Sequence, residues 1–343
     1  MAPKLNDNPM VHVLAADLEL KSSANPVAEI VTFCRRKVLR FLADFRDCKN
    51  PSQLLALVAN KLGTQFIEIH SDADLDRVIQ EFSQRGEKSF ANLRSEFCAQ
   101  DLGITLRLLA PARCGLPYVS IIDYRGQKAR RAYFTRWHEL GHLLILTDQR
   151  RLAFKRTHSL HEPKTPEESL VDVIAGEFAY FEPMVSPLAV GEISFATIER
   201  IRQTLCPDGS FTSAVIGVTK AWPTPCLSIA AQMALKKGEA DDAQATFGFR
   251  TAPKPALRAT SVTINEAARK RGIQMYPNFR VPAQSVIAKV FRDGLSEAEA
   301  TEDLSWWRAS DGTELPALPL KVLAKRRSDC VYALLLPKNT KRI

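Results

Sequence analysis

Trp137-His138-Glu139-Leu140-Gly141-His142-Leu143-Leu144-Ile145-Leu146 decides how this chain is read. The stretch has helical character and a strongly apolar flank. On a helix, residues four apart lie on one face, a turn above each other, so His138 and His142 can aim at one point. That point suits Zn²⁺, which takes neutral imidazole nitrogen at about 2.0–2.1 Å. Glu139 lies beside the metal without having to bind it, and from there it can take a proton from an attacking water. With only 6 His in 343 residues, a chance His-Glu-x-x-His is expected in roughly one such chain in a hundred or fewer. The alternative is a helix with two surface histidines and a salt-bridging glutamate. The leucines at 140, 143, 144 and 146 argue for a largely buried helix instead, where bare imidazoles and a carboxylate need partners.

A zinc site of this kind needs a third protein ligand, leaving a fourth position for water. The donor is sought in Pro166-Glu167-Glu168-Ser169-Leu170-Val171-Asp172-Val173-Ile174-Ala175-Gly176-Glu177-Phe178. Pro166 suits a helix N-terminus, and acids in the first turn complement the helix dipole. Glu168 and Asp172 share a face. Glu168 is the preferred ligand, 26 residues after His142, which leaves room for a loop and a second helix packed on the first. Glu167 and Asp172 compete with it, and Glu177 is a weaker candidate.

Phe134-Thr135-Arg136-Trp137-His138-Glu139-Leu140-Gly141-His142 resembles the R-F-T-x-A-H-E-L-G-H signature of the ImmA/IrrE metallopeptidases. Glu168-x-x-x-Asp172-x-x-Ala175-Gly176-Glu177-Phe178 is similar to that family's E-x-x-x-N-x-F-A-A-E-L helix, with Asp172 where Asn is usual. Tyr180-Phe181-Glu182-Pro183 stands in place of L-L-M-P. The resemblance implies that Glu168 is the third zinc ligand. It spans roughly 130–185 closely and is schematic beyond 195. There, Phe211 to Val215, Pro223-Thr224-Pro225 and the apolar run Cys226 to Met233 are similar to the linker and first C-terminal strand of IrrE-type proteins. The implied architecture is α+β: a zincin-like peptidase domain over 1–190, a helical linker over 191–222 and a GAF-like sensor domain over 223–343. The implied substrate is a helix-turn-helix transcriptional repressor, whose cleavage derepresses a stress, prophage or defence operon. Single-stranded DNA is an implied activating signal, and the CapP-type peptidases of anti-phage operons share this architecture.

Composition sets the outer bounds. A chain of 343 residues with 45% hydrophobic and 25% charged residues is long enough for two or three globular domains. No apolar run approaches the ~18 residues that span a bilayer. No basic start with an apolar core marks a secretory signal, so the expectation is a cytoplasmic protein with no membrane partner. The seven cysteines, at 34, 48, 98, 114, 206, 226 and 330, form no close pairs, which disfavours zinc knuckles and redox C-x-x-C motifs. The net charge is +9, and residues 251–343 alone carry 16 Lys+Arg against 9 Asp+Glu. Further basic clusters flank the motif: Arg125, Lys128, Arg130, Arg131 and Arg136 before it, Arg150, Arg151, Lys155 and Arg156 after it. This distribution fits either a solvated basic surface or a polyanion partner such as nucleic acid.

Outward from the motif, Val27 to Phe45 reads as an amphipathic helix and Pro51 to Leu62 as a second one, ended by Gly63. Asp72 to Phe97 is helical in period. Gln65 to His70, Ile104 to Leu109 and Tyr118 to Asp123 read as strands. Met1 to Asn25 is expected to be partly without regular structure, and 147–166 to be a polar connection holding His158 and His161. Ser194 to Leu205 and Phe211 to Trp222 read as helices around the Cys206-Pro207-Asp208-Gly209 turn. The second is too poor in Arg, Lys, Asn and Gln for base readout, so a spacer is expected. Leu227 to Leu235, Ala256 to Ile264, Ser285 to Phe291, Leu318 to Ala324 and Val331 to Leu336 read as strands of a mixed α+β domain. No repeat, P-loop or Rossmann pattern stands out.

The favoured function is a zinc endopeptidase: His138, His142 and Glu168 hold the metal, and Glu139 is the general base. Tyr124, Tyr180, His158 and His161 are candidate oxyanion partners. The rival is a zinc-containing scaffold that binds nucleic acid or a repressor without cutting, against which the presence of Glu139 argues. A self-contained toxin-type protease is a third possibility. A regulatory protease must be silent until called upon, and a thiolate binds zinc well. Cys98 is therefore a candidate inhibitory fourth ligand, with Cys114 second; the alternative for both is a small buried thiol.

Overall fold

A computed structural model describes residues 5–21, 23–45, 48–97, 101–109, 115–147, 153–157, 164–236, 254–308, 312 and 314–338. The fold is α+β, with two sheets. The chain divides into two compact units: one of residues 1–184 and 202–213, the other of residues 185–201 and 214–343.

The first unit holds α1 (Pro9–Asp17), α2 (Pro26–Ala43), α3 (Pro51–Lys61), β1 (Thr64–Ile69), α4 (Asp72–Gln84), α5 (Leu93–Glu96), β2 (Asp101–Arg107), β3 (Tyr118–Asp123), α6 (Ala132–Leu144), β4 (Ala153–Thr157), α7 (Pro166–Phe178) and α8, which begins at Glu182 and ends at the boundary residue Val185. Three of the helices start alike. Asn8, Asn25 and Asn50 each cap the backbone with a side-chain oxygen, followed by proline in the first turn, where no N–H is needed.

The sheet order is β1-β3-β2-β4. β1 pairs parallel with β3, and β2 is antiparallel to both β3 and β4, with a register shift between Asp101 and Gly103. Period-2 alternation divides the two central strands between the faces. Ile104, Leu106, Val119 and Ile121 join Leu75, Val78, Phe82, Phe90 and Leu93 in one core cluster on the α4 side. Gly103, Thr105 and Ser120 alternate with them and turn to the opposite face, where α6 lies.

The second unit carries β5 (Leu227–Ala234), β6 (Ala256–Ile264), α11 (Glu266–Lys270), α12 (Val286–Asp293), β7 (Glu297–Asp303), β8 (Pro319–Arg327) and β9 (Cys330–Pro337). Its five strands are antiparallel in the order β6-β5-β9-β8-β7. Ile287, Val290, Trp307, Leu320, Val322 and Leu335 are fully buried in its core. Helices α9 (Phe195–Leu205) and α10 (Phe211–Ala221) each contain a boundary between the units. Among the described residues, no helix is long and apolar enough to cross a membrane.

One expectation is overturned and four segments are filled in. Met1 to Asn25 contributes helix α1, anchored by buried Val11 and Ala15. Asp72 to Phe97 is not one helix: α4 stops before Gly86, which takes φ +86°, and a 3-10 turn and α5 follow. The 147–166 connection contains β4, a short edge strand. Ser285 to Phe291 is a helix, not a strand. Ser285 caps α12 by accepting from Ile287 N, Gly294 ends it at φ 70°, and the β-branched Val286, Ile287 and Val290 that suggested a strand form its buried stripe. Glu297 to Asp303, acidic and poor in strand formers, is edge strand β7. Lys325 of β8 pairs with Glu297 at 3.1 Å and Lys321 of β8 with Glu299 at 3.7 Å, linking the two strands.

Candidate metal centre

Every residue of α6 from Trp137 to Leu144 is buried. Trp137, fully buried, stacks on Phe178 of α7 at 5.6 Å between ring centroids. Gly141 lets the two helices approach: a Cβ there would stand 2.8 Å from Val171 Cγ1. α7 starts at Thr165, whose side chain accepts from Glu168 N at 3.2 Å, and Pro166 occupies its first turn. This start places Glu167 and Glu168 against the two histidines.

The carboxylate of Glu168 bridges them. Its Oε2 lies 3.0 Å from His138 Nε2 and its Oε1 3.0 Å from His142 Nε2. Donor atoms of His138, His142 and Glu168 all fall within 4.8 Å of one another. The two other acids considered as ligands take a different place. Asp172 Oδ1 is 2.9 Å from His138 Nδ1, and Glu167 Oε1 is 3.2 Å from His142 Nδ1. Each imidazole thus has a carboxylate on its Nδ1, the arrangement that orients a metal-ligating histidine and leaves Nε2 for the metal. Lys164 pairs with Asp172 from the outside. Glu177 is elsewhere, 2.8 Å from Arg35, which also holds Glu182 at 2.7 Å.

One atom tests whether these residues fit a metal. His138 Nε2 is buried and makes no hydrogen bond, although Glu168 Oε2 is 3.0 Å away. A buried nitrogen left in that state is costly unless an ion meets it. Two imidazole nitrogens and one carboxylate oxygen are a donor set that Zn²⁺ takes in open, catalytic sites.

Charge is concentrated around His142. Burial by itself would lower its pKa, but hydrogen bonds with Glu167 and Glu168 and the charges of Glu139 and Glu168 outweigh that and raise it to about 9. Burial would likewise raise the Glu168 carboxyl. Its contacts with His138 and His142 hold it instead far below the usual carboxylate range.

Glu139 is 0% exposed. Its Oε2 accepts a hydrogen bond from Thr105 Oγ1 at 2.7 Å. Behind Thr105 stand two more buried hydroxyls, Ser120 Oγ at 2.8 Å and then Thr64 Oγ1, 2.9 Å from Ser120. Sequence reading missed these partners. The available signal was a hydroxyl residue at alternate positions of otherwise apolar strands.

Of the candidate oxyanion groups, Tyr124 packs on His70, ring centroids 4.8 Å apart, with the Arg136 guanidinium over its ring at 5.4 Å. Tyr180 is buried, its hydroxyl against Gly209. His158, His161, Cys98 and Cys114 lie outside the described residues. Part of the basic cluster before the motif is neutralised: Arg125 and Lys128 pair with buried Asp123 at 2.8 and 2.6 Å, and Arg136 pairs with Glu68.

No family model matches the chain, and no curated protein matches it. Among solved structures, a Mycobacterium tuberculosis transcriptional regulator matches over 90% of this chain and 87% of its own, with 10% identity and a TM-score of 0.39. A likeness at that level carries no argument about activity.

Proposed function

We propose that the chain is a zinc-dependent endopeptidase of the ImmA/IrrE kind, acting on a helix-turn-helix transcriptional repressor. The observation that carries this reading is the convergence of His138 Nε2, His142 Nε2 and the Glu168 carboxylate, both Nδ1 atoms backed by carboxylates, next to buried Glu139. His138, His142 and Glu168 would hold the metal. Bound there, Zn²⁺ supplies a Lewis acid that lowers the pKa of a coordinated water to about 7 and polarises the scissile carbonyl. Glu139 accepts the proton of the attacking water and delivers it to the leaving amine nitrogen. A metal site that is only structural has no use for such a base.

On this reading the first unit is the zincin-like peptidase, the second a GAF-like sensor, and the protein works in the cytoplasm. Single-stranded DNA is the proposed effector, drawn by the basic excess of the C-terminal residues. The deciding experiment incubates the protein with a helix-turn-helix repressor encoded beside it, with and without Zn²⁺ and single-stranded DNA, and looks for fragments by mass spectrometry. Fragments that vanish with chelation and in Glu139→Gln support the proposal. A zinc-loaded protein that binds the repressor and leaves it whole is a scaffold, and the peptidase reading falls.

A further inference from the structure

Three hydroxyls run in a row beneath α6, on three neighbouring strands. Thr105 on β2 donates to Glu139 Oε2 at 2.7 Å. Ser120 on β3, directly paired in register with Thr105, lies 2.8 Å from its hydroxyl. Thr64 at the start of β1 lies 2.9 Å from Ser120. A hydroxyl has one hydrogen to give. Thr105 spends its own on the carboxylate, so Ser120 donates to Thr105; Thr64 Oγ1 faces Ser120 Oγ at 2.9 Å and Gln65 O at 3.5 Å, and giving its hydrogen to the nearer completes the row. The row is therefore polarised in one direction and ends on Glu139, and aligned hydrogen bonds of this kind strengthen one another.

The same strand supplies room for the carboxylate. Gly103 shares a face of β2 with Thr105. A Cβ at Gly103 would meet Thr135 Cγ2 at 2.7 Å and Glu139 Oε1 at 3.0 Å. The backbone of Gly103 is not in the left-handed region, so space, not conformation, calls for glycine there.

Packing alone does not account for this row. Thr64, Thr105 and Ser120 are 2%, 0% and 0% exposed. Valine has the shape of threonine and suits a buried strand, whereas a buried hydroxyl is costly without a partner. Replacing hydrogen-bonded groups by apolar ones of the same shape is close to neutral for stability. The row is most useful to the one group at its end.

We propose that Thr105, with Ser120 and Thr64 behind it and the gap at Gly103 beside it, forms a preshaped seat that fixes the orientation of the Glu139 carboxylate. Thr105 and Ser120 are positioning residues that act through Glu139. The catalytic consequence rests on the peptidase reading above; the seat itself does not.

The test uses full-length Thr105→Val, Thr105→Ser and Ser120→Ala, with two readouts. The first is the carboxylate stretch of Glu139 in metal-free, carbon-13 glutamate-labelled protein, isolated as the infrared difference against Glu139→Gln. The second is kcat and KM of the zinc-loaded protein on the repressor substrate. Thr105→Val should shift the Glu139 band, keep zinc content and KM, and lower kcat on the order of tenfold to a hundredfold. Ser120→Ala should do the same more weakly, and it serves as the readout should Thr105→Val not fold. Thr105→Ser, which restores the donor, should restore both band and kcat. An unmoved band in Thr105→Val overturns the proposal, and so does a moved band with unchanged kcat. If the wild type cuts no repressor, the peptidase reading fails, and the band still decides whether Thr105 holds Glu139.

Discussion

On the proposed reading, zinc and a proton would compete for His142. In the metal-free protein its pKa is raised from 6.5 to about 9, against the effect of burial, by hydrogen bonds with Glu167 and Glu168 and by the charges of Glu139 and Glu168. At about pH 7 the imidazole carries a proton that must leave before its Nε2 can ligate. Two units of pKa correspond to about a hundredfold in apparent affinity, or about 3 kcal/mol. Glu168 sits far below the usual carboxylate range and has no proton to release near neutrality. Zinc affinity, measured by competition with a chromophoric chelator, should therefore rise about tenfold per pH unit up to about pH 9 and then level off. Calorimetry in buffers of different ionisation enthalpy should find about one proton released by His142 per zinc near pH 7. Glu167→Gln replaces the carboxylate that lies 3.2 Å from Nδ1 with a neutral amide, a weaker acceptor for a charged ring. It should bring the His142 pKa back toward 6.5 and flatten the pH dependence. At pH above about 9 it should weaken zinc about 10- to 100-fold, because the ligand loses its orienting carboxylate. Wild-type affinity that is flat between about pH 7 and 9, or a Glu167→Gln slope equal to wild type, would refute the reasoning. The same shift bears on stability without metal. A folded-state pKa above the unfolded one stabilises the fold fully below about pH 6.5, and that contribution, about 3 kcal/mol, is lost as pH rises through about 9. Chelated protein should accordingly melt at a lower temperature above about pH 9 than near pH 6.

Glu139→Gln should keep zinc and fold but lose cleavage, while His138→Ala should lower zinc content itself; a Glu139→Gln enzyme that cuts at the wild-type rate would end the assignment of the base. Gly141→Ala gains helix propensity, worth about 1 kcal/mol. Yet its Cβ meets Val171 Cγ1 at 2.8 Å, so it should destabilise by about 1–3 kcal/mol net and loosen the zinc site. Adding Val171→Ala should recover zinc content; thermal melts and metal analysis of both variants check this, and a Gly141→Ala protein as stable as wild type would count against the close helix contact. Single-stranded oligonucleotides should bind by fluorescence anisotropy, weakening steeply with salt as phosphate contacts release counterions. A flat titration at physiological salt would leave a solvated basic face. Lys321, Lys325 and Arg308 already have acidic partners at 3.1, 3.1 and 2.7 Å, so the footprint should fall on other cations.

Much of the site could be read from residues alone. Two histidines four apart on an apolar helix lie on one face whatever surrounds them, because helix geometry is local. The capped, proline-led start of α7 and the buried strands β2 and β3 follow from equally local patterns. The sequence left three acids competing for the third ligand position and assigned α12 to a strand. Val286, Ile287 and Val290 suit either structure, and only the cap at Ser285 and the left-handed Gly294 decide between them. Edge strands β4 and β7 escaped notice because an edge needs little apolar sequence when its one neighbour supplies the pairing.

By itself the sequence determined an α+β chain and a helix that presents His138 and His142 together, with Glu139 beside them. Those properties depend on periodicities of a few residues. Tertiary structure decided which carboxylate meets both Nε2 atoms, because the roll of α7 against α6 is set by the contact of Gly141 with Val171 and of Trp137 with Phe178. It also decided what holds Glu139. Thr64, Thr105 and Ser120 come from three separate strands, and only the register of β1, β2 and β3 lines their hydroxyls up. Interactions between residues far apart in the chain depend on packing, and no local pattern encodes them.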